Sequence, residues 1–178
     1  ASLHPRFVCF DDPHDEFVAL LRAKDTRAVE MCTALGVCHE VLVEKVLDTT
    51  GNGERDTGKT RLSASNPDDQ ALVVAAAQFG FSFTSRGEGG RTLVLEVGDP
   101  SDYVGARQAY VARGLRECAA PPGRQITFEV LQTLEFTSAR RRMSVVLRDT
   151  STNTIKLYCK GADAEVFKRL TGAERNSD

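Results

Sequence analysis

Three successive stretches near the C-terminal end alternate apolar and polar residues, and no other feature constrains the fold as tightly. Ile126, Phe128, Val130, Leu134 and Phe136 keep one parity over a long span. Met143, Val145 and Leu147 alternate in the next stretch, and Ile155, Leu157 and Cys159 in a third. A period of two puts every second side chain on one face, which is the signature of a strand rather than a helix. Asp149-Thr150-Ser151-Thr152-Asn153 supplies the turn between the last two strands. On parity alone, Phe136 belongs with the core.

The first half reads differently. Asp12-Pro13 has the form of an N-cap followed by proline at the first helical position, with Phe17, Leu20 and Leu21 as an apolar stripe. A second helix is predicted over 26–39 and a Val/Leu-rich strand over 41–47. Asn66-Pro67-Asp68-Asp69 is a strong helix start, combining a cap, a proline and two carboxylates at the positive end of the dipole. Gly80 ends that helix. Strands over 81–85 and 92–97, a helix over 101–118 and a closing helix after Gly161 complete the pass. Helices cluster early and strands late, without βα alternation. The prediction is therefore one α+β domain, an antiparallel β-sheet flanked by helices. At 178 residues the whole chain, 1–178, has the size of one domain. Two stretches stand apart. Residues 48–65 are rich in Gly, Thr, Ser and charge and predict a flexible loop, and 87–124 reads as a variable insertion.

Lys plus Arg number 23 against 25 Asp plus Glu, a net charge of -2, without the basic excess of a nucleic-acid binder. A small anion held by a few local cations is compatible with that balance. The five cysteines have no framework spacing and read as reduced, buried thiols. Cys38-His39 lacks a second Cys/His pair at metal-binding spacing, so no metal site is predicted. No apolar run reaches the length of a membrane span, no signal peptide opens the chain, and it is expected to work in water.

Two segments carry nucleotide chemistry. Gly53-Glu54-Arg55-Asp56-Thr57-Gly58-Lys59-Thr60 matches the P-loop pattern letter for letter. A working P-loop needs a strand entering it directly and a helix leaving from its Lys-Thr, so that backbone amides wrap the phosphates. Here six residues separate the predicted strand from Gly53, and Asn66-Pro67 follows too soon for a helix. The second candidate is dispersed. Lys160-Gly161-Ala162-Asp163 lies between a strand and a helix, and Phe136 precedes Ser138 and the triplet Arg140-Arg141-Arg142. An aromatic platform beside guanidinium groups suits a base with phosphates attached.

In order along the chain, these segments resemble the nucleotide-binding domain of P-type ATPases, in particular the phospholipid-transporting (flippase) subfamily. Asn66-Pro67-Asp68-Asp69-Gln70-Ala71-Leu72 is similar to its Pro-Asp-Glu-x-Ala-Leu helix. The stretch 134–146 is similar to its Glu-Phe-x-Ser-x-Arg-x-Arg-Met-Ser-Val segment, and Lys160-Gly161-Ala162-Asp163 to its Lys-Gly-Ala-Asp signature. The resemblance implies that Phe136 stacks on adenine, that Lys160 lines the pocket and that Gly161 permits close contact. It implies that Arg141 reaches toward the phosphates and that Ser138 adds a polar contact. Asp69 stands where the family has a Glu that accepts from the adenine amine, with one methylene less reach. The bound cofactor is then ATP, with Mg2+ held mainly outside this domain. The partners implied are phosphorylation and transmembrane domains of a larger parent chain, a phospholipid substrate and an accessory subunit of the parent, and no nucleic acid. The parent is an integral membrane protein with this domain on its cytosolic side. The family's phosphorylated Asp motif is absent, so the fragment is expected to bind ATP and carry no catalytic residue. The alternatives are a self-contained P-loop NTPase using Lys59, and a non-enzymatic domain whose arginine turn grips an acidic partner.

Overall fold

The computed structural model describes residues 16–51, 53–98 and 123–170. Helix α1 spans Glu16–Arg22 and α2 spans Thr26–Val37. The Asp25 carboxylate caps α2 by accepting from the Arg27 and Ala28 amides at 2.9 and 3.3 Å, satisfying two of the helix's orphan donors. Helix α3, Pro67–Gln78, starts as its sequence predicts: the Asn66 side chain accepts from the Asp68 amide at 3.0 Å. It stops at Gly80, whose φ of 85° suits glycine. A short α4 covers Asp163–Phe167.

Strands β1 (Leu42–Gly51) and β2 (Gly53–Ser63) form an antiparallel pair. The main sheet contains β3 (Phe81–Arg86), β4 (Thr92–Val97), β5 (Arg124–Leu134), β6 (Arg142–Asp149) and β7 (Ile155–Gly161). Among the described residues their order is β3-β4-β5-β6-β7, with antiparallel neighbours throughout. Phe83, Leu95, Phe128, Val145, Leu147 and Tyr158 are buried, packed in one core with Cys32 and Val37 of α2 and Val73 and Ala76 of α3. Each large side chain removed from water stabilises the fold by roughly 1.5–3 kcal/mol. This is the α+β arrangement expected. A polar tie reinforces it: the Tyr158 hydroxyl donates to Glu30 Oε2 at 2.7 Å, and Lys156 pairs with the same carboxylate. Burial alone would raise the Glu30 pKa, but the hydrogen bonds from Lys156 and Tyr158 outweigh it and hold the group below its ordinary value.

Two bulges set side-chain directions that the sequence pattern does not give. In β5, Val130 faces Leu147 but Gln132 faces Val146, so Leu131 is an extra residue. An extra residue reverses every later side chain. Thr133 now faces buried Val145, and Leu134 turns outward to 40% exposure. Phe136 lies beyond the strand and is 59% exposed. The expectation of a core Phe136 in a continuous strand over 126–136 is corrected by that bulge. In β3, a shift between Phe83 and Ser85 pairs Arg86 with Leu93, so Arg86 shares a face with Phe83.

Two further expectations change. Residues 48–65, expected as a loop, lie mostly in paired strands, with Val46 opposite Lys59 and Leu47 opposite Asp56. Polar composition misled because a hairpin needs only backbone pairing, which side-chain polarity does not forbid. Within 87–124, β4 pairs on both sides in the interior of the sheet, so that part is no insertion. The helix expected over 101–118, the cap at Asp12-Pro13 and residues 99–122 lie outside the described residues.

Candidate functional site

One end of the sheet gathers the residues singled out by chemistry. Leu134 at the end of β5 faces Ser144, and Gly161 at the end of β7 faces Arg142 at the start of β6. The connection carrying Phe136 and Ser138 therefore emerges beside Lys160-Gly161. Both Phe136 and Ser138 are exposed.

The three arginines divide their tasks. Arg140 Nη1 donates to the Glu135 carbonyl at 2.7 Å, and Arg142 Nη1 donates to the Arg140 carbonyl at 2.9 Å. Arg142 also lies 3.9 Å from the Glu165 carboxylate. These two hold the turn. Arg141 has φ 50°, a left-handed conformation that costs a non-glycine residue about 1 kcal/mol or more. It is held there because its N–H donates to the Thr137 carbonyl at 2.7 Å and its carbonyl accepts from Ala162 N–H at 3.0 Å. Its exposed guanidinium has no hydrogen-bond or ion-pair partner among the described residues. Gly161 is the close neighbour: a Cβ there would meet the Arg141 carbonyl oxygen at 2.5 Å and Arg142 Cα at 2.7 Å.

Lys160 points from β7 toward the start of α3, where its Nζ donates to Asp69 Oδ1 at 2.7 Å. Asp69 Oδ2 accepts from the Glu40 amide at 3.3 Å. The sequence brings Asp69 and Lys160 together from 91 residues apart. Sequence reasoning missed the support behind them. His39 is 1% exposed; Val41 N–H donates to its Nδ1 at 3.1 Å, so Nε2 carries the proton and donates to the Gly36 carbonyl at 2.9 Å. Arg86, aimed inward by the β3 bulge, donates from Nη2 to the His39 carbonyl at 2.8 Å and stands over the Phe83 ring. Nothing in the sequence pattern announces that bulge. Cys32 and Cys38 are free and buried, and burial pushes their thiols up to about 12 and about 11, which suits packing rather than reactivity.

Burial, with the charges of Arg86 and Lys160 nearby, brings the His39 imidazole down to about 3 from 6.5, against the opposing Gly36 carbonyl. Between those values the unfolded chain binds a proton that the folded chain excludes. Stability therefore falls as pH falls through this window, by roughly 1.4 kcal/mol per pH unit from this group, and is insensitive to it above the window. Urea unfolding near pH 7 and about pH 5.5 should differ by about 1 kcal/mol or more, with the ring nitrogens still reporting neutral imidazole at the lower pH. A protonated His39 ring in the folded protein at that pH is the contrary result.

A cavity of about 640 Å³ lies elsewhere, lined by Val29, Thr33, Phe81, Val97 and Ile126, with Gly98 and Gly123 at the flanks of residues 99–122. It shares no residue with the Lys160 end. The P-loop-like motif is not at this end as a phosphate cradle: Gly53–Ser63 is strand β2, and the next helix starts only at Pro67.

The model of the P-type ATPase cytoplasmic domain N matches residues 29–177. Probable phospholipid-transporting ATPase 7 of Arabidopsis thaliana is 36% identical over 142 residues, covering 80% of this chain and 9% of the relative. Phospholipid-transporting ATPase IC of Xenopus tropicalis is 33% identical over 159 residues, covering 88% and 10%. Its Homo sapiens counterpart is 34% identical over 136 residues, covering 76% and 8%. The chain thus spans about a tenth of the length of the relatives it matches. No helix among the described residues is long and apolar enough to cross a membrane. With the helix start at Asn66, the arginine turn and the Lys160-Gly161 strand end in one domain, this chain belongs to the P-type ATPase cytoplasmic N-domain family, alongside its phospholipid-transporting members.

Proposed function

We propose that this chain is the ATP-binding domain of a phospholipid-transporting P-type ATPase, holding the nucleotide and presenting its γ-phosphate to a separate phosphorylation domain. The observation that carries the proposal is the grouping at one sheet end of an exposed aromatic, a guanidinium unpaired among the described residues and a lysine set by a buried carboxylate. Phe136 stacks on the base, Lys160 lines the pocket and Arg141 meets the phosphates, with Ser138 on the same connection. Gly161 serves indirectly, by letting the Arg141 turn close on the strand. Asp69 fixes Lys160. The parent would form an aspartyl-phosphate and use its energy to move a phospholipid between leaflets. Phosphoryl transfer needs an in-line acceptor and a metal clamp, and no cluster of side chains able to hold a metal is found among the described residues. It is expected to bind ATP without hydrolysing it, with Mg2+ and the membrane path belonging to the rest of the parent.

The test is an ATP titration followed by NMR, with and without magnesium. The expected dissociation constant is on the order of 0.1 to several mM, little changed by the metal. Shifts should centre on Phe136, Lys160 and the start of α3. Phe136→Ala should weaken ATP by roughly 5- to 150-fold, about 1–3 kcal/mol of lost stacking, and leave the melting temperature unchanged because the ring is exposed. Magnesium-dependent shifts centred on 53–60 would count against the proposal.

A further inference from the structure

One peptide unit links the sheet end to an arginine that bonds neither Lys160 nor Asp69. The bond between His39 and Glu40 is trans, so its C=O and N–H point to opposite sides. Arg86 Nη2 donates to that C=O at 2.8 Å, and the N–H donates to Asp69 Oδ2 at 3.3 Å. Asp69 Oδ1 in turn accepts from Lys160 Nζ at 2.7 Å. A cation, a peptide dipole, a carboxylate and a second cation thus stand in series. A guanidinium on the carbonyl polarises the peptide and makes its N–H a stronger donor to the carboxylate. It also holds the peptide against rotation. The amide-to-carboxylate bond is the longest link of the series, and so the one that gains most from this support.

Stability alone does not account for Arg86. Its Nε–H is buried without a hydrogen-bond partner among the described residues, and burial holds the guanidinium below its ordinary pKa. An orphaned donor and a desolvated charge both count against folding. An apolar side chain in the same place would avoid both. What the guanidinium adds is its hydrogen bond to the one carbonyl whose peptide also faces Asp69. We propose that Arg86 is a positioning residue of the nucleotide site: through the His39–Glu40 peptide it orients Asp69, and through Asp69 it sets the Lys160 ammonium. This rests on the reading of the sheet end as a nucleotide site, and it requires no contact between Arg86 and the nucleotide.

The experiment compares wild type, Arg86→Met and Leu147→Val by NMR, without nucleotide and in the ATP titration, at a temperature where melting curves show each folded. Without nucleotide, Arg86→Met should speed amide exchange at Glu40 by about tenfold relative to the amides of β6, and it should shift the Lys160 Nζ resonance. ATP should then bind about fivefold more weakly. Leu147 is buried and pairs with Lys156, toward the other end of β6 and β7. Its variant should lose stability while Glu40, Lys160 and ATP affinity stay as in wild type, which separates positioning from a general loss of structure. Unchanged Glu40 and Lys160 signals in Arg86→Met overturn the inference, whether or not ATP binds. Wild-type ATP affinity in Arg86→Met, read at Phe136 and Lys160, overturns it and leaves the nucleotide reading intact. If ATP shifts no resonance at this end in wild type, the nucleotide reading falls and the inference with it. Should Arg86→Met fail to fold, Arg86→Lys, which keeps the charge and loses the planar fork, is held to the same signals.

Discussion

Lys160→Ala should weaken ATP binding at least tenfold and destabilise the domain by about 2 kcal/mol in one step. The two losses have different origins. The ammonium is the proposed contact with the nucleotide, so its removal takes away a charged donor at the base. It is also the partner of Asp69, which is buried at 8% exposure. Without Lys160, that carboxylate keeps, among the described residues, only the Glu40 amide at 3.3 Å. Removing one member of a buried pair costs about 3–5 kcal/mol. The figure is reduced here because a fifth of Lys160 is exposed and water replaces part of the interaction. A double variant separates the effects. Asp69→Asn with Lys160→Met removes both charges and should recover most of the stability, while ATP binding stays lost. Lys59→Ala, in the P-loop-like stretch of β2, should leave ATP affinity unchanged. Urea unfolding and ATP titration on the set decide it; wild-type affinity in Lys160→Ala, or its loss in Lys59→Ala, refutes the assignment.

Gly161→Ala should cost about 2 kcal/mol, and Gly161→Val about 3 kcal/mol. The added Cβ would stand 2.5 Å from the Arg141 carbonyl oxygen and 2.7 Å from Arg142 Cα. Backbone atoms cannot swing aside as the end of a flexible side chain can. The strain has to open the β6–β7 pairing at Arg142 and Gly161 or shift the turn that holds Arg141 in its left-handed conformation. In a domain of this size the alanine change corresponds to roughly 4–8 °C in melting temperature. Its nucleotide affinity should fall as well, because Arg141 loses its fixed position. Calorimetry and the same titration measure both. A Gly161→Ala protein with wild-type melting temperature would show that the close approach is not a tight one.

Much of the fold was legible because it follows from local chemistry. The α3 start needed only Asn66, Pro67 and two carboxylates in sequence, and the structure caps it with Asn66 as that order dictates. Strand β6 follows from unbroken alternation, whereas β7 lies where alternation puts a strand but turns its alternating Ile155 and Leu157 outward and buries Tyr158 between them. The strand over 41–47 was legible as the start of β1, but its extension and its pairing with β2 were not, since that pairing uses backbone groups that every residue carries. Phe136 is the instructive failure. Its apolar parity was real, but the extra residue at Leu131 reversed the strand's faces and β5 ends at Leu134, before Phe136 is reached; no local propensity marks where a bulge falls.

For the candidate site, sequence alone determined the residue types and their order: an aromatic, an arginine triplet and a Lys-Gly pair, each beside a strand end. Tertiary structure decided which of them are available. It occupied Arg140 and Arg142 in the turn and left the Arg141 guanidinium without a partner among the described residues. It joined Asp69 to Lys160 across 91 residues, and it placed His39 and Arg86 behind them. The reason is physical: composition and spacing set what each side chain can donate or accept. Whether that capacity is spent inside the protein or left for a ligand depends on contacts between segments far apart in the chain.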